Sequence, residues 1–220
     1  TNYHYIVPEF DDTTSFKLSS NKIFDEYSEA KQLGIETRPV LIGPVSYLKL
    51  GKVISGDINK YDLLNGLLNV YGEILKKCEA LGVKDIQIDE PIAALDLTSE
   101  VKTALSKSYE RLSKITQIKI HLATYFGDLR ENRETIFELP VYSIHLDGSR
   151  NDITSDISAF PKEKVLSLGL VNGRNIWINN FENSLKLIEL SKEKLGDERV
   201  IVASSCSLLH SPVTLKNEEK

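Results

Sequence analysis

Methionine is absent from this 220-residue chain, tryptophan occurs once and cysteine twice. Two cysteines as far apart as Cys78 and Cys206 exclude the dense disulfide framework of a small secreted domain, and a reducing cytoplasm is the expected setting. No apolar run approaches the ~20 residues of a membrane span, and nothing has the pattern of a signal peptide. Basic residues are outnumbered, 27 Lys and Arg against 32 Asp and Glu, and the net charge of −5 is spread without a cationic stripe. Nucleic acid and anionic membranes are therefore excluded as expected partners. Also missing is the Gly-rich phosphate turn with which an open dinucleotide-binding sheet announces itself. What is present is 41% hydrophobic residues, enough for one sizeable core in one α/β domain. The lack of methionine, an opening "TNYHYIVPEF" that reads as a strand under way, and a polar close "SPVTLKNEEK" lead us to expect a segment of a longer protein.

Short β-rich runs recur with amphipathic stretches between them, the pattern of a parallel sheet covered by helices. The candidate strands are "RPVLIGP", "DIQIDEP", "IKIHLATY", "VYSIHLDGS", "KVLSLGLV" and "RVIVASS", with "NYHYIVPEF" a possible seventh. Leu63, Leu64, Leu67, Leu68, Tyr71, Ile74, Leu75 and Cys78 repeat at helical steps and stop at Gly82. A second helix is expected from a Thr98-Ser99 start, carrying Val101, Ala104, Leu105, Leu112 and Ile115, and a third over "NFENSLKLIELSKEKLG", ending at Gly196. Six or seven strands and no phosphate turn favour a (β/α)₈ TIM barrel, incomplete in this chain at its first strand and last helix. No linker interrupts the series, so residues 1–220 form one barrel segment.

Alternation divides each strand into a helix-facing apolar set and an axis-facing set. Ile86, Ile88, Ile118, Ile120, Leu122, Tyr142, Ile144 and Leu146 fall in the first; Gln87, Asp89, His121, Ala123, Tyr125, Ser143, His145, Asp147, Ser167, Gly169, Ser204 and Cys206 fall in the second. Unpaired polar groups in a barrel interior cost roughly 1–3 kcal/mol each, so this row needs water, a ligand or a closed hydrogen-bond network. Asp89 is expected in the cavity, facing Arg130, Arg150 or Arg174 from other strand ends, while Glu90 turns to the rim or the loop. His121 and His145 read as buried, hydrogen-bonded imidazoles and Cys78 as core. His121, His145, Asp147 and Cys206 are nonetheless competent zinc donors, and a stand-alone metal-dependent hydrolase using His145, Asp147 and Cys206 is one reading of the set. A ligand-binding barrel without chemistry is another.

The motifs "TNYHYIVPEF", "TRPVLIGPVSYLKLGK", "IQIDEPI", "LATYFGDLR", "LSLGLVNGRNIW" and "SSCSLLHSP" together resemble the N-terminal half of cobalamin-independent methionine synthase, across essentially the whole chain. The resemblance implies an enzyme of two (β/α)₈ barrels that moves a methyl group from 5-methyltetrahydropteroyl-oligoglutamate (a folate) to homocysteine, activated as a thiolate on zinc held by the C-terminal barrel. Where that barrel carries His-x-Cys, Glu and Cys ligands, this chain reads Ala123-Thr124-Tyr125, Asp147 and Cys206. Its Asp-x-His segment meets Asn172 and Arg174 here. No catalytic residue, metal or cofactor is therefore expected in this segment, whose partner is the C-terminal barrel. Asp89, Glu90, Asp147, Arg150, Asn172 and Arg174 are the candidates for a polar mouth along the folate cleft.

Overall fold

Each of the six candidate strands forms in the computed structural model, which describes residues 7–209, 211–214 and 216. Strand β1 (Glu9–Phe10) leads to helix α1 (Lys22–Gln32), strand β2 (Val40–Ile42), helix α2 (Pro44–Leu50) and strand β3 (Lys52–Val53). Helix α3 (Leu64–Ala80), strand β4 (Asp85–Asp89), helix α4 (Ser99–Ile115) and strand β5 (Lys119–Thr124) follow. The chain continues through α5 (Arg133–Glu138), β6 (Ser143–Asp147), α6 (Thr154–Ala159), β7 (Val165–Val171), α7 (Phe181–Leu195) and β8 (Val200–Ser204). Every strand pair is parallel, in the order β2-β4-β5-β6-β7-β8. Among the described residues this sheet is open, with β2 and β8 at its edges.

Of the possible seventh strand, residues 2–6 lie outside the described residues; its described end, β1, pairs with β3 in a two-stranded ribbon.

Helix boundaries follow local chemistry. Thr98 caps α4 by accepting from the Val101 amide at 3.4 Å, and the Asn180 side chain caps α7 through the Asn183 amide at 3.0 Å. Gly82 and Gly196, just past α3 and α7, take φ of 84° and 86°, a left-handed turn that glycine adopts without steric cost.

The core lies between the sheet and its helices. Ile86, Ile88, Leu122, Ile144, Leu166 and Leu168 come from the strands, and Leu75, Leu105, Tyr109 and Leu112 from α3 and α4; all are fully buried. Tyr142 departs from the helix-facing set. It sits just ahead of β6 and is exposed, its ring edge-on to His121 at 5.2 Å and beneath the Lys119 ammonium at 4.5 Å. Between β7 and β8 the register shifts, pairing Gly169 with Ala203 but Val171 with Ser204. Among the described residues no helix is long and apolar enough to cross a membrane.

Candidate functional site

The axis-facing residues converge on a cavity of about 490 Å³ along the concave side of the sheet. Gln87, Asp89, His121, Ala123, Tyr125, Ser143, His145 and Ser167 line it as strand alternation requires, whereas in β8 alternation brings Ile201 and Ala203 to this wall and Ser204 and Cys206 reach it only past the register shift. Most of their polar groups pair with one another or with residues just outside the cavity. Gln87 Nε2 donates to Asp89 Oδ1 at 2.8 Å, and the Tyr125 hydroxyl donates to Asp89 Oδ2. Across the β4, β5 and β6 rows, His121 Nε2 lies 2.8 Å from Asp85 Oδ1 and His121 Nδ1 lies 2.6 Å from Ser143 Oγ. A carboxylate only accepts, so Nε2 carries the proton and Ser143 donates to Nδ1. His145 repeats the arrangement one strand on, Nε2 donating to the Ser205 carbonyl at 3.2 Å and Nδ1 accepting from Ser167 at 2.9 Å. Gly169 leaves room for this ring, because a Cβ there would stand 2.8 Å from His145 Nε2.

Electrostatics follow from burial. Desolvation holds both imidazoles below the usual histidine range, against the opposing pull of Asp85 on His121 and of the Ser205 carbonyl on His145. It raises Asp89 in spite of its bonds from Tyr125 and Gln87, and raises the Tyr125 phenol in turn.

Of the six polar-mouth candidates, Asp89 alone borders this cavity. None of the three expected arginines pairs with Asp89. Arg130 pairs with Asp128 at 3.1 Å and Asp96 at 3.6 Å, and the Arg174 guanidinium lies 5.0 Å from the Phe126 ring centre. Arg150 is exposed, and Asn172 folds back to accept from the Arg174 amide at 2.8 Å. Asp147 is buried, but Oδ1 is taken by the Ser149 amide at 3.1 Å and hydroxyl at 2.7 Å, which ties off the turn after β6.

Glu90 overturns the expectation of a rim or loop residue: it is 0% exposed. With Asp89 facing the cavity, its neighbour faces the helix layer, and Pro91 turns the chain directly after it. Glu90 Oε2 accepts from the Ser46 amide at 2.7 Å, and Oε1 from the Val45 amide at 3.3 Å and the Tyr109 hydroxyl at 3.2 Å. It thus closes the N-terminus of α2, where the first amides have no partner within the helix. Burial pushes its pKa up to about 7, although these bonds favour the anion.

Sequence reading missed Asp85, Tyr109 and Arg38. Asp85 was visible by carrying the alternation of β4 back one step. Tyr109 was visible as the next helical step after Leu105. Arg38 precedes β2 and lines the cavity from a position with no periodic signal.

The residues at the degenerate metal positions do not fit zinc. Ala123 has no donor, Tyr125 is committed to Asp89, Asp147 lies off the cavity, and the Cys206 thiol points to the Ser207 carbonyl at 3.7 Å. Both ring nitrogens of each cavity histidine are in use, and among the described residues no three metal-binding side chains converge.

The family described as cobalamin-independent synthase, N-terminal domain, matches residues 1–196. The 5-methyltetrahydropteroyltriglutamate–homocysteine methyltransferase of Salinibacter ruber is 46% identical over 99% of this chain, and that of Saccharomyces cerevisiae is 47% identical over 100%. The chain spans only 29% of the length of either relative. Among solved structures, a B12-independent methionine synthase from a Shewanella species superposes with a TM-score of 0.78 at 16% identity, covering 92% of this chain and 64% of its own. One from Listeria monocytogenes gives 0.71 at 14%, covering 92% and 67%. The fold is thus the mixed, parallel α/β architecture of those proteins. The chain belongs to the cobalamin-independent methionine synthase family, in the part described as its N-terminal domain.

Proposed function

We propose that residues 1–220 are the metal-free (β/α)₈ barrel segment of a methyltransferase that moves a methyl group from 5-methyltetrahydropteroyl-oligoglutamate to homocysteine. The names of the relatives support the reaction, and the 29% of their length that this chain spans supports a further domain in the same polypeptide. In this reading the open sheet is closed by strands that bridge β8 and β2, and zinc, with the homocysteine thiolate, resides in that further domain. A thiol on zinc is deprotonated near neutral pH, which supplies the nucleophile a methyl-folate requires. The protein works in the cytoplasm, in keeping with its two free cysteines.

One observation supports the auxiliary role: Asp89, His121 and His145 are each hydrogen-bonded to neighbouring protein groups, Asp89 to Gln87 and Tyr125, His121 to Asp85 and Ser143, and His145 to Ser167 and the Ser205 carbonyl. With both ring nitrogens hydrogen-bonded, each histidine would have to give up a partner to take a metal ion. This barrel therefore packs against the catalytic domain and shapes the folate cleft, with Asp89 as the only one of the six polar-mouth candidates at the cavity wall.

Methionine formation from 5-methyltetrahydropteroyl-triglutamate and homocysteine tests the proposal. The 220-residue chain alone should stay at the uncatalysed background. Turnover, or stoichiometric zinc by elemental analysis that disappears in Cys206→Ala, would establish the stand-alone metalloenzyme instead.

A further inference from the structure

Two asparagines in this chain are followed by glycine, Asn65-Gly66 and Asn172-Gly173. Asparagine is a thermolabile residue type, and a following glycine is its most reactive context, because an amide nitrogen with no Cβ beside it can reach the asparagine carboxamide. Asn65-Gly66 lies within α3, where helical dihedrals hold the backbone away from that approach. Asn172-Gly173 lies in the loop after β7 and is restrained in another way.

Glycine is required at position 173. A Cβ there would stand 2.7 Å from the Ser207 carbonyl oxygen, 2.9 Å from that of Cys206 and 3.0 Å from Cys206 Sγ, so the loops after β7 and β8 cross with no space for a side chain. The crossing that demands glycine thereby puts a reactive amide behind Asn172. The same crossing restrains it. The Gly173 amide donates to Ser205 Oγ at 3.2 Å, and Ser205 is buried. The Asn172 carboxamide, by contrast, is folded back over its own backbone, with Oδ1 accepting from the Arg174 amide at 2.8 Å, and the residue is partly open to water. The electrophile is in place and polarised, and the nucleophile is held by one hydroxyl.

We infer that Asn172 is a latent site of deamidation, a spontaneous covalent modification kept closed by Ser205. Once the Gly173 N–H leaves Ser205 it gives its proton to hydroxide, and the nitrogen attacks Asn172 Cγ. A C–N bond forms, Nδ2 takes a proton from water and leaves as ammonia, and a five-membered succinimide results. Water then adds at either succinimide carbonyl and the C–N bond there breaks, giving aspartate or isoaspartate; no oxidant or cofactor takes part. The product carries a new negative charge two residues before Arg174, and isoaspartate lengthens the backbone by one carbon at the crossing. Cys206, on the other side of that crossing, lines the cavity, so the modification alters the cavity's rim.

Peptide mapping by mass spectrometry of the 220-residue chain, incubated at mildly alkaline pH, reads both asparagines in one experiment. In the folded parent, Asn172 should convert about tenfold more slowly than in urea, where both pairs react alike. Ser205→Ala removes the hydroxyl but keeps the backbone bonds of the residue, its amide to the Val171 carbonyl at 2.7 Å and its carbonyl to His145 Nε2 at 3.2 Å. Conversion at Asn172 should rise about tenfold in this variant, the factor that one hydrogen bond of ordinary strength controls. Asn65 should stay at the parent's level, which reports that the fold is intact. An unchanged rate at Asn172 beside a quiet Asn65 would overturn the inference, and so would a folded parent that converts Asn172 as fast as the chain in urea. If conversion at Asn65 shows that Ser205→Ala has unfolded, deuterium exchange at the Gly173 amide of the parent decides. Slow exchange supports the restraint by Ser205, and exchange at the rate of an unstructured amide refutes it.

Discussion

Asp89 and Glu90 are adjacent acids with opposite fates, and the difference is the alternation of one extended residue. Asp89 shares its charge with Tyr125 and Gln87 at the cavity wall, whereas Glu90 is sealed between α2 and α4. For Glu90 the folded pKa of about 7 lies above the ordinary 4.5, so the native state holds a proton that the unfolded chain has released across that interval. Stability is therefore greatest below about pH 4.5 as far as this group is concerned, and falls as pH rises toward 7, by roughly 3 kcal/mol in all. Glu90→Gln cannot ionise and loses that slope. Its amide nitrogen cannot accept from the α2 amides, at a cost of about 1–3 kcal/mol. Urea denaturation at several pH values should show the variant weaker than the parent near pH 4.5 and the gap closing by pH 7. Parallel profiles would mean that Glu90 is not the titrating group. Sequence alternation located Asp89 correctly, but it stops where the strand stops. The neighbours that receive Glu90, Ser46 and Tyr109, lie 44 and 19 residues away, so no local pattern revealed them.

Elements were legible in proportion to their length. Helices α3 and α4 have 17 residues each and α7 has 15, several turns over which an apolar face repeats, and each carries a glycine stop or a side-chain cap. Helices α5 and α6 have 6 residues each, fewer than two turns, and leave no period to read. Helix α2 was hidden for another reason: its cap is not Gly43, which begins it, but the carboxylate of Glu90 on another element. That arrangement requires glycine, since a Cβ at Gly43 would stand 2.0 Å from Glu90 Cδ. Gly43→Ala should thus destabilise by about 1–3 kcal/mol, the range for forcing atoms into a filled core. Thr98→Ala, at the ordinary cap of α4 with a long 3.4 Å bond, should cost no more than about 1 kcal/mol. Chemical denaturation of the two variants side by side checks the order. A reversed order would remove the Glu90 cap from the account of why α2 forms.

On the scale of the whole molecule, the sheet ends, among the described residues, in two edges with no further strand beside them. Val40 and Ile42 of β2 and Val202 of β8 are exposed, and among the described residues no further strand lies beside either edge, although the Tyr71 hydroxyl donates to the Ile42 carbonyl. A parallel sheet is stable when both faces are covered, and an uncovered apolar edge is a template for pairing with another chain. The concave cavity between those edges, bordered by Val40 and Arg38 on one side and Ile201 and Ala203 on the other, is open for the same reason. Six parallel strands were legible from composition and period; whether the sheet closes was not, because closure depends on which strands occupy the gap between β8 and β2. The 220-residue chain should therefore self-associate as its concentration rises, with the β2 edge as the contact. Val40→Lys places a charge on that edge, the device by which natural edge strands resist pairing, and should return the chain toward the monomer without lowering its melting temperature. Sedimentation velocity over a concentration series measures this directly. A parent chain that stays monomeric throughout would show that the edges are already protected, and would count against a gap that further strands must fill.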